Sequence, residues 1–169
     1  MTLKIAFACA ALAALPMAAK ACAADAQVRS PKGGVCGSGL DSEQAANAAA
    51  VIRVADEMGL PGRAAVIGVA TTLQESDLRT YPPGDNDGGL AVGIFQQHPH
   101  WGPRRTNAGV SAKRFYNRLV KVTDWDTRPL TEAAQAVQGS AHPNAYAQHE
   151  DRAARIIAKL TSRSCKAAR

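Results

Sequence analysis

The sequence predicts an all-α domain with at most a small β element. Three observations lead to this class. Apolar residues recur at helical spacing in several segments, a ten-residue stretch from Ala64 to Leu73 carries no charge, and strand signals are few. At 169 residues the chain has room for one domain with a sizeable core, and not comfortably for two. We therefore expect a single helical domain.

The first predicted helix begins after Asp41. This residue offers an N-cap, and Gln44 follows three residues later, which is the spacing of a capping box. Apolar residues continue at about helical spacing to Met58, and Gly59 stands where a helix stop is expected, shortly before Pro61. The segment is amphipathic, so we expect it to cover part of the core.

The uncharged stretch from Ala64 to Leu73 predicts a second helix that is buried on all sides. A buried strand is the alternative, because ten residues with valine and isoleucine suit either element. The preceding Pro61-Gly62 and the alanines favour a helix. From Ser76 to Gly93 the composition changes to aspartate, proline and glycine, so the buried helix should end at a long polar loop.

Three further helices are expected after this loop. A short apolar segment, Val92 to Gln97, comes first, and helical patterns follow at about 111–122, 131–138 and 144–160. The last pattern places several apolar residues near one face, namely Tyr146, Ala153, Ile156, Ile157 and Leu160.

Residues 1–26 have the pattern of a secretory signal peptide. Lys4 supplies the positive charge, an apolar run extends from Ile5 to Met17, and small residues continue to Ala26. The apolar run is too short for a membrane span of about 20 residues, and no later run replaces it. We expect a secreted protein, extracellular or associated with the cell wall, without stable membrane insertion. Lipidation of Cys22 is the alternative, although its context is poor.

The remaining cysteines predict one disulfide. Cys36 precedes the first helix and Cys165 follows the last, and two such cysteines in an exported chain are expected to pair. The bridge clasps a helical domain at 41–165, which follows an N-terminal lead at 27–40. It closes a loop of roughly 130 residues, for which the chain-entropy relation gives at most about 4 to 5 kcal/mol.

The charge balance is modestly basic, with 20 lysines and arginines against 14 acidic residues and a net charge of +6. Such a charge suits anionic surfaces such as cell-wall polymers. The basic residues are scattered, and the pair Arg104-Arg105 stands alone, so we interpret the pair as a solvated loop. No nucleic acid partner is expected, and we expect a monomer.

Glu75 is the candidate for chemistry. It is the only carboxylate at the boundary between the uncharged helix and the polar loop. Partial burial and the negative end of the helix dipole both disfavour the charged form, so a neutral acid is expected near neutral pH. Such an acid can protonate the leaving oxygen of a glycosidic bond. A helix-terminal glutamate pointing into water is the ordinary alternative, and position alone favours it.

Two motifs around Glu75 resemble the lytic transglycosylase and goose-type lysozyme families. The first is Val66 to Leu78, in which Leu-Gln-Glu-Ser ends the uncharged helix, and the second is Gly93-Ile-Phe-Gln-Gln97. The segments Leu130 to Val137 and Pro143 to Tyr146 are similar to small exported lysozyme-like domains of actinobacteria. The resemblance covers roughly residues 40–160 and implies a lysozyme-like, mainly helical fold.

The resemblance also implies site residues. Glu75 matches the general acid, and Ser76 matches a residue that orients the acid or contacts the sugar. Gly93 allows close backbone approach, and Gln96 forms hydrogen bonds with substrate. Tyr146 matches a tyrosine of the substrate groove, although packing on an apolar helix face explains it equally well. No cofactor is implied.

The implied reaction is cleavage of peptidoglycan glycan strands between N-acetylmuramic acid and N-acetylglucosamine. A hydrolytic muramidase usually needs a second carboxylate roughly 5 to 9.5 Å away, and none of Asp77, Asp85 and Asp87 stands out. A lytic transglycosylase works with one glutamate, which we favour. The alternatives are a non-catalytic wall-binding or interaction protein on the same scaffold, and a secreted inhibitor or stress protein.

Three other features have ordinary interpretations. His98 and His100, near the acidic loop 85–88, match no closed zinc pattern, and the loop itself lacks the terminal glutamate of a calcium site. Trp101 and Trp125 can stack on sugars, but lone tryptophans more often pack against a core. We therefore expect no metal.

Overall fold

The computed structural model describes residues 37–84, 89–140 and 142–162. Within these ranges the chain forms five α-helices and no strand, which confirms the helical class. The helices are α1 (Ser42–Glu57), α2 (Gly62–Ser76), α3 (Ala108–Leu119), α4 (Leu130–Gln138) and α5 (Glu150–Thr161), with short 3-10 turns at Pro99–Trp101 and Ala147–His149. The expected signal peptide, residues 85–88 and both cysteines of the expected disulfide, Cys36 and Cys165, lie outside the described residues.

Both ends of α1 form as the sequence predicts. The Asp41 carboxylate accepts a hydrogen bond from the backbone N–H of Gln44 at 2.9 Å, and the Gln44 side chain accepts one from the N–H of Asp41 at 3.2 Å. At the other end, the N–H of Gly59 donates to the carbonyl of Asp56, and the next N–H donates to Ala55. Gly59 has a φ of +65°, so the helix ends in a Schellman motif.

The uncharged segment is helical, and α2 is the central element of the fold. It contacts α1, α3, α4 and α5. Every residue from Ile67 to Leu73 is buried. Gly68 lies against the hydroxyl of Tyr116, which donates a hydrogen bond to the carbonyl of Val51 at 3.2 Å. A side chain at position 68 would overlap that hydroxyl, so α1, α2 and α3 approach closely here.

The later helices differ from the expected ranges at their starts. Asn107 caps α3, because its side chain accepts from the N–H of Val110 at 2.9 Å. The helix therefore starts three residues before the expected position, and it also ends three residues before it. The prediction of a helix from residue 144 is wrong, since α5 begins at Glu150. Turns precede α5, because the carbonyl of Pro143, which would accept the first backbone N–H of a helix starting at residue 144, accepts from the Thr131 hydroxyl instead.

No helix among the described residues is long and apolar enough to cross a membrane.

Candidate functional site

Glu75 lies in the last turn of α2 and is half-buried. Its Oε1 accepts a hydrogen bond from the Tyr146 hydroxyl at 2.8 Å and another from the Gln138 side-chain amide at 3.1 Å. Its Oε2 accepts no hydrogen bond from a described residue and is accessible to solvent. One oxygen is therefore fixed by the protein, and the other remains at the surface.

Tyr146 is fully buried and lies just before the 3-10 turn that leads into α5. It does not share a helix face with Ile156 and Leu160, because α5 starts four residues later. Burial, and to a smaller extent the negative charge of Glu75, raise the pKa of the Tyr146 phenol above its ordinary value. The hydroxyl is thus a neutral donor, and the residue both packs in the core and contacts Glu75.

Gln138 is a site residue that the sequence did not indicate. It is the last residue of α4, and its Nε2 donates to the carbonyl of Phe95 at 2.9 Å as well as to Glu75. The amide therefore connects the end of α2 with the segment 92–97. It lies 63 residues from Glu75 in the sequence, and no local pattern distinguishes it from any other polar residue at a helix end.

The segment Val92 to Gln97 folds back on itself beside Glu75. The backbones of Val92 and Gln97 exchange two hydrogen bonds, of 3.2 and 3.0 Å, in an isolated antiparallel bridge. Gly93 has a φ of +73°, and a Cβ there would overlap the carbonyl of Arg105, so the chain's own packing requires the glycine. Gln96 also has a positive φ of +46°, and its amide donates to the carbonyl of Gly93 at 2.8 Å.

Ser76 is buried and connects α2 to this segment. Its hydroxyl is a donor with two possible acceptors, the carbonyl oxygen of Ile94 at 2.8 Å and that of Thr72 at 3.1 Å. The hydroxyl therefore fixes the end of α2 next to the folded segment. Through Ser76, Gln138 and Tyr146, three separate parts of the chain determine where the Glu75 carboxyl lies.

Asp77 forms hydrogen bonds with side chains of two other helices. It caps α2 in the left-handed conformation, with φ 49° and ψ 41°. Its carboxylate accepts from Arg152 at 2.8 Å and from the Gln44 amide at 2.9 Å. Both carboxylate oxygens thus have partners from α1 and α5. Asp85 and Asp87, the other candidates for a second acid, lie outside the described residues.

The remaining candidates are placed as follows. The described residues contain no group of histidine, cysteine and acidic side chains that could hold a metal ion. Trp101 is buried and Trp125 is half-buried, and both pack against the core. Arg104 and Arg105 lie in the loop before α3, where Arg104 is exposed and Arg105 is half-buried. The Arg105 guanidinium donates to the carbonyls of Leu90 and Gln97, each at 2.7 Å. Two adjacent basic residues in a sequence do not show which backbone carbonyls their side chains contact.

Comparison of the chain with protein-family models gives no match, and comparison with curated proteins gives none either.

Proposed function

We propose that this protein is an exported enzyme that cleaves the glycan strands of peptidoglycan, with Glu75 as its general acid and base. The observation that carries the proposal is the environment of the Glu75 carboxyl. Two neutral donors, Tyr146 and Gln138, fix Oε1, whereas Oε2 accepts no hydrogen bond from the described residues and reaches solvent. A carboxyl with one fixed and one accessible oxygen is suited to proton transfer with a bound substrate.

In the proposed reaction, Oε2 of the protonated Glu75 donates its proton to the glycosidic oxygen, and the bond between that oxygen and C1 of N-acetylmuramic acid breaks. The resulting carboxylate then takes the proton of the C6 hydroxyl of the same sugar. That oxygen bonds to C1 and closes a 1,6-anhydro ring, and Glu75 is protonated again. The donors on Oε1 favour the intermediate in which Glu75 is charged, because a hydrogen bond to an ionised acceptor is stronger.

The contacts of Asp77 support a single-acid reaction over hydrolysis. A second carboxylate must activate water or face the sugar ring. Although the Asp77 carboxylate reaches solvent, each of its oxygens is held by one partner, Arg152 or Gln44, which indicates a structural role between α1, α2 and α5. We therefore propose lytic transglycosylation in preference to muramidase activity.

The test is digestion of purified peptidoglycan by the parent protein and three variants, with mass spectrometry of the released fragments. Glu75→Gln keeps the shape of the side chain and removes the acid, so fragment release should fall by about 10² to 10⁴-fold. Glu132→Gln makes the same chemical change at an exposed position in the first turn of α4 and should release fragments at the parental rate. Asp77→Asn should remain active, since asparagine tolerates the left-handed conformation.

The products identify the reaction. Anhydro-muramic ends from the parent support transglycosylation. Reducing ends, together with an inactive Asp77→Asn variant, would show a two-carboxylate hydrolase instead. If the parent binds peptidoglycan but releases no fragment, the protein is a wall-binding protein and the enzyme proposal is wrong.

A further inference from the structure

A second cluster of polar groups lies on α3 and the 3-10 turn Pro99–Trp101. Arg114 and Arg118 are four residues apart on α3 and therefore project from the same face. The Cζ of Arg118 lies 3.4 Å from the centroid of the Trp101 ring. The Nη2 of Arg114 lies 3.2 Å from the position that a Cβ on Gly102 would occupy. Both guanidinium groups thus lie against the same turn.

Neither arginine is neutralised by the described part of the chain. The ion pairs found there involve other arginines, namely Arg53, Arg63, Arg79 and Arg152. Nη1 of Arg114 is buried from solvent and has no hydrogen-bond partner among the described residues. A buried charged donor without an acceptor is costly, and native structures usually satisfy it with protein, water or an ion. Two like charges one helical turn apart add to that cost.

Two histidines flank the same turn. His100 lies beside Trp101, with ring centroids 6.1 Å apart, and the ring of His98 is nearly parallel to that of His100 at 6.2 Å. Both histidines are exposed. Stacking on Trp101 fixes the plane of the Arg118 guanidinium and leaves its N–H groups without partners among the described residues. The two guanidinium groups therefore offer several N–H donors to an anion.

We propose that Arg114 and Arg118 form a phosphate-binding site on the turn 99–102. Two guanidinium groups supply more donors than the two oxygens of a carboxylate accept, whereas a phosphate group presents three or four oxygens to the planar fork of an arginine. None of these residues contacts Glu75, so the site is separate from the proposed catalytic site. The phosphate group belongs either to free inorganic phosphate or to a phosphodiester.

The first test uses the unaltered protein and NMR titration. Inorganic phosphate is the probe for a free anion, glycerophosphoglycerol is the probe for a phosphodiester, and acetate is the carboxylate comparison. We expect saturable shifts at the Nε–H of Arg114 and Arg118, the Trp101 indole and the Gly102 amide with at least one phosphate probe. The tighter of the two identifies the source. Shifts that do not saturate, or that acetate reproduces at equal concentration, would overturn the proposal.

The second test compares variants by calorimetric titration with the tighter probe. Arg118→Lys keeps the charge and removes the planar guanidinium, and Arg114→Gln removes the charge at position 114. Each should weaken binding at least about tenfold, as expected for a lost charge-assisted hydrogen bond. Lys113→Gln removes one exposed charge from the same helix and is the matched control. Equal weakening by Lys113→Gln would show diffuse attraction to basic charge and no defined site.

Discussion

At the scale of single residues, Glu75 is notable for how its carboxyl is oriented. Its Oε1 receives two hydrogen bonds from residues that lie far away in the sequence, Tyr146 and Gln138. Both donors are neutral, so they orient the carboxyl without forming an ion pair. In the proposed reaction these bonds strengthen when Glu75 loses its proton, and they therefore contribute to the rate.

Tyr146→Phe tests this contribution. The variant keeps the buried ring and removes the hydroxyl that donates to Glu75, so the charged form of Glu75 loses about 1.5 to 3 kcal/mol of hydrogen bonding. We expect fragment release from peptidoglycan to slow by about 10- to 100-fold. Tyr116→Phe is the matched control, because it removes a buried hydroxyl bonded to Val51, away from Glu75. Equal rates for the two variants would show that Tyr146 only packs.

At the scale of elements, α2 depends on close approach to its neighbours. Gly68→Ala places a methyl group where the Tyr116 hydroxyl lies and 3.0 Å from Cγ1 of Val51. Overpacking of this kind typically costs about 1 to 3 kcal/mol, so the midpoint of urea unfolding should fall. Gly62→Ala, in the first turn of the same helix with nothing within 4 Å of the new methyl group, should not lower it. In the background of Tyr116→Phe, the effect of Gly68→Ala should shrink because the overlapping oxygen is gone.

The cap of α1 predicts a dependence of stability on pH. The N–H of Gln44, and next the guanidinium of Arg79, lower the pKa of the Asp41 carboxyl below its usual value of 3.8. Because the folded pKa is the lower one, Asp41 stabilises the fold above pH 3.8, and this contribution is lost as the pH falls through the folded pKa. Asp41→Asn still caps the helix but does not titrate.

The melting temperatures of the parent and Asp41→Asn should therefore differ at pH 6 and converge toward pH 2. Asp126→Asn, at an exposed aspartate outside the described ion pairs, is the control for loss of one negative charge. A difference between the parent and Asp41→Asn that stays constant down to pH 2 would contradict a role for the Asp41 charge.

At the scale of the whole molecule, the sequence predicts a disulfide between Cys36 and Cys165, which would join the chain before α1 to the chain after α5. Cys165→Ser should lower the stability of the oxidised protein by up to about 4 to 5 kcal/mol, because the unfolded chain regains the freedom of a long loop. Thermal melts with and without a reductant measure this effect. The reductant should destabilise the parent and leave the variant unchanged. Two free thiols in the oxidised parent would show that the bridge does not form.

Much of the helical framework follows from the sequence because its causes are local. Asp41 and Gln44 are three residues apart, so the capping box is visible in the chain, and Gly59 ends α1 by its own backbone freedom. The uncharged segment before Glu75 likewise predicts a buried helix, because a helix without polar residues needs cover on every side. Glu75 itself stands out by its position at the end of that helix.

The tertiary structure alone decided what surrounds Glu75. α5 begins at Glu150 and not at residue 144, and the carbonyl of Pro143, just before the expected start, accepts from Thr131 at 12 residues' distance in the sequence. Gln138 reaches Glu75 across 63 residues of sequence, and Arg105 supplies donors to the carbonyls of a neighbouring segment. The periodicity of apolar residues shows which face of a helix is buried, but it does not show which distant side chains pack against that face. The sequence by itself therefore determined the helices and the candidate acid, and packing decided the hydrogen bonds that orient that acid.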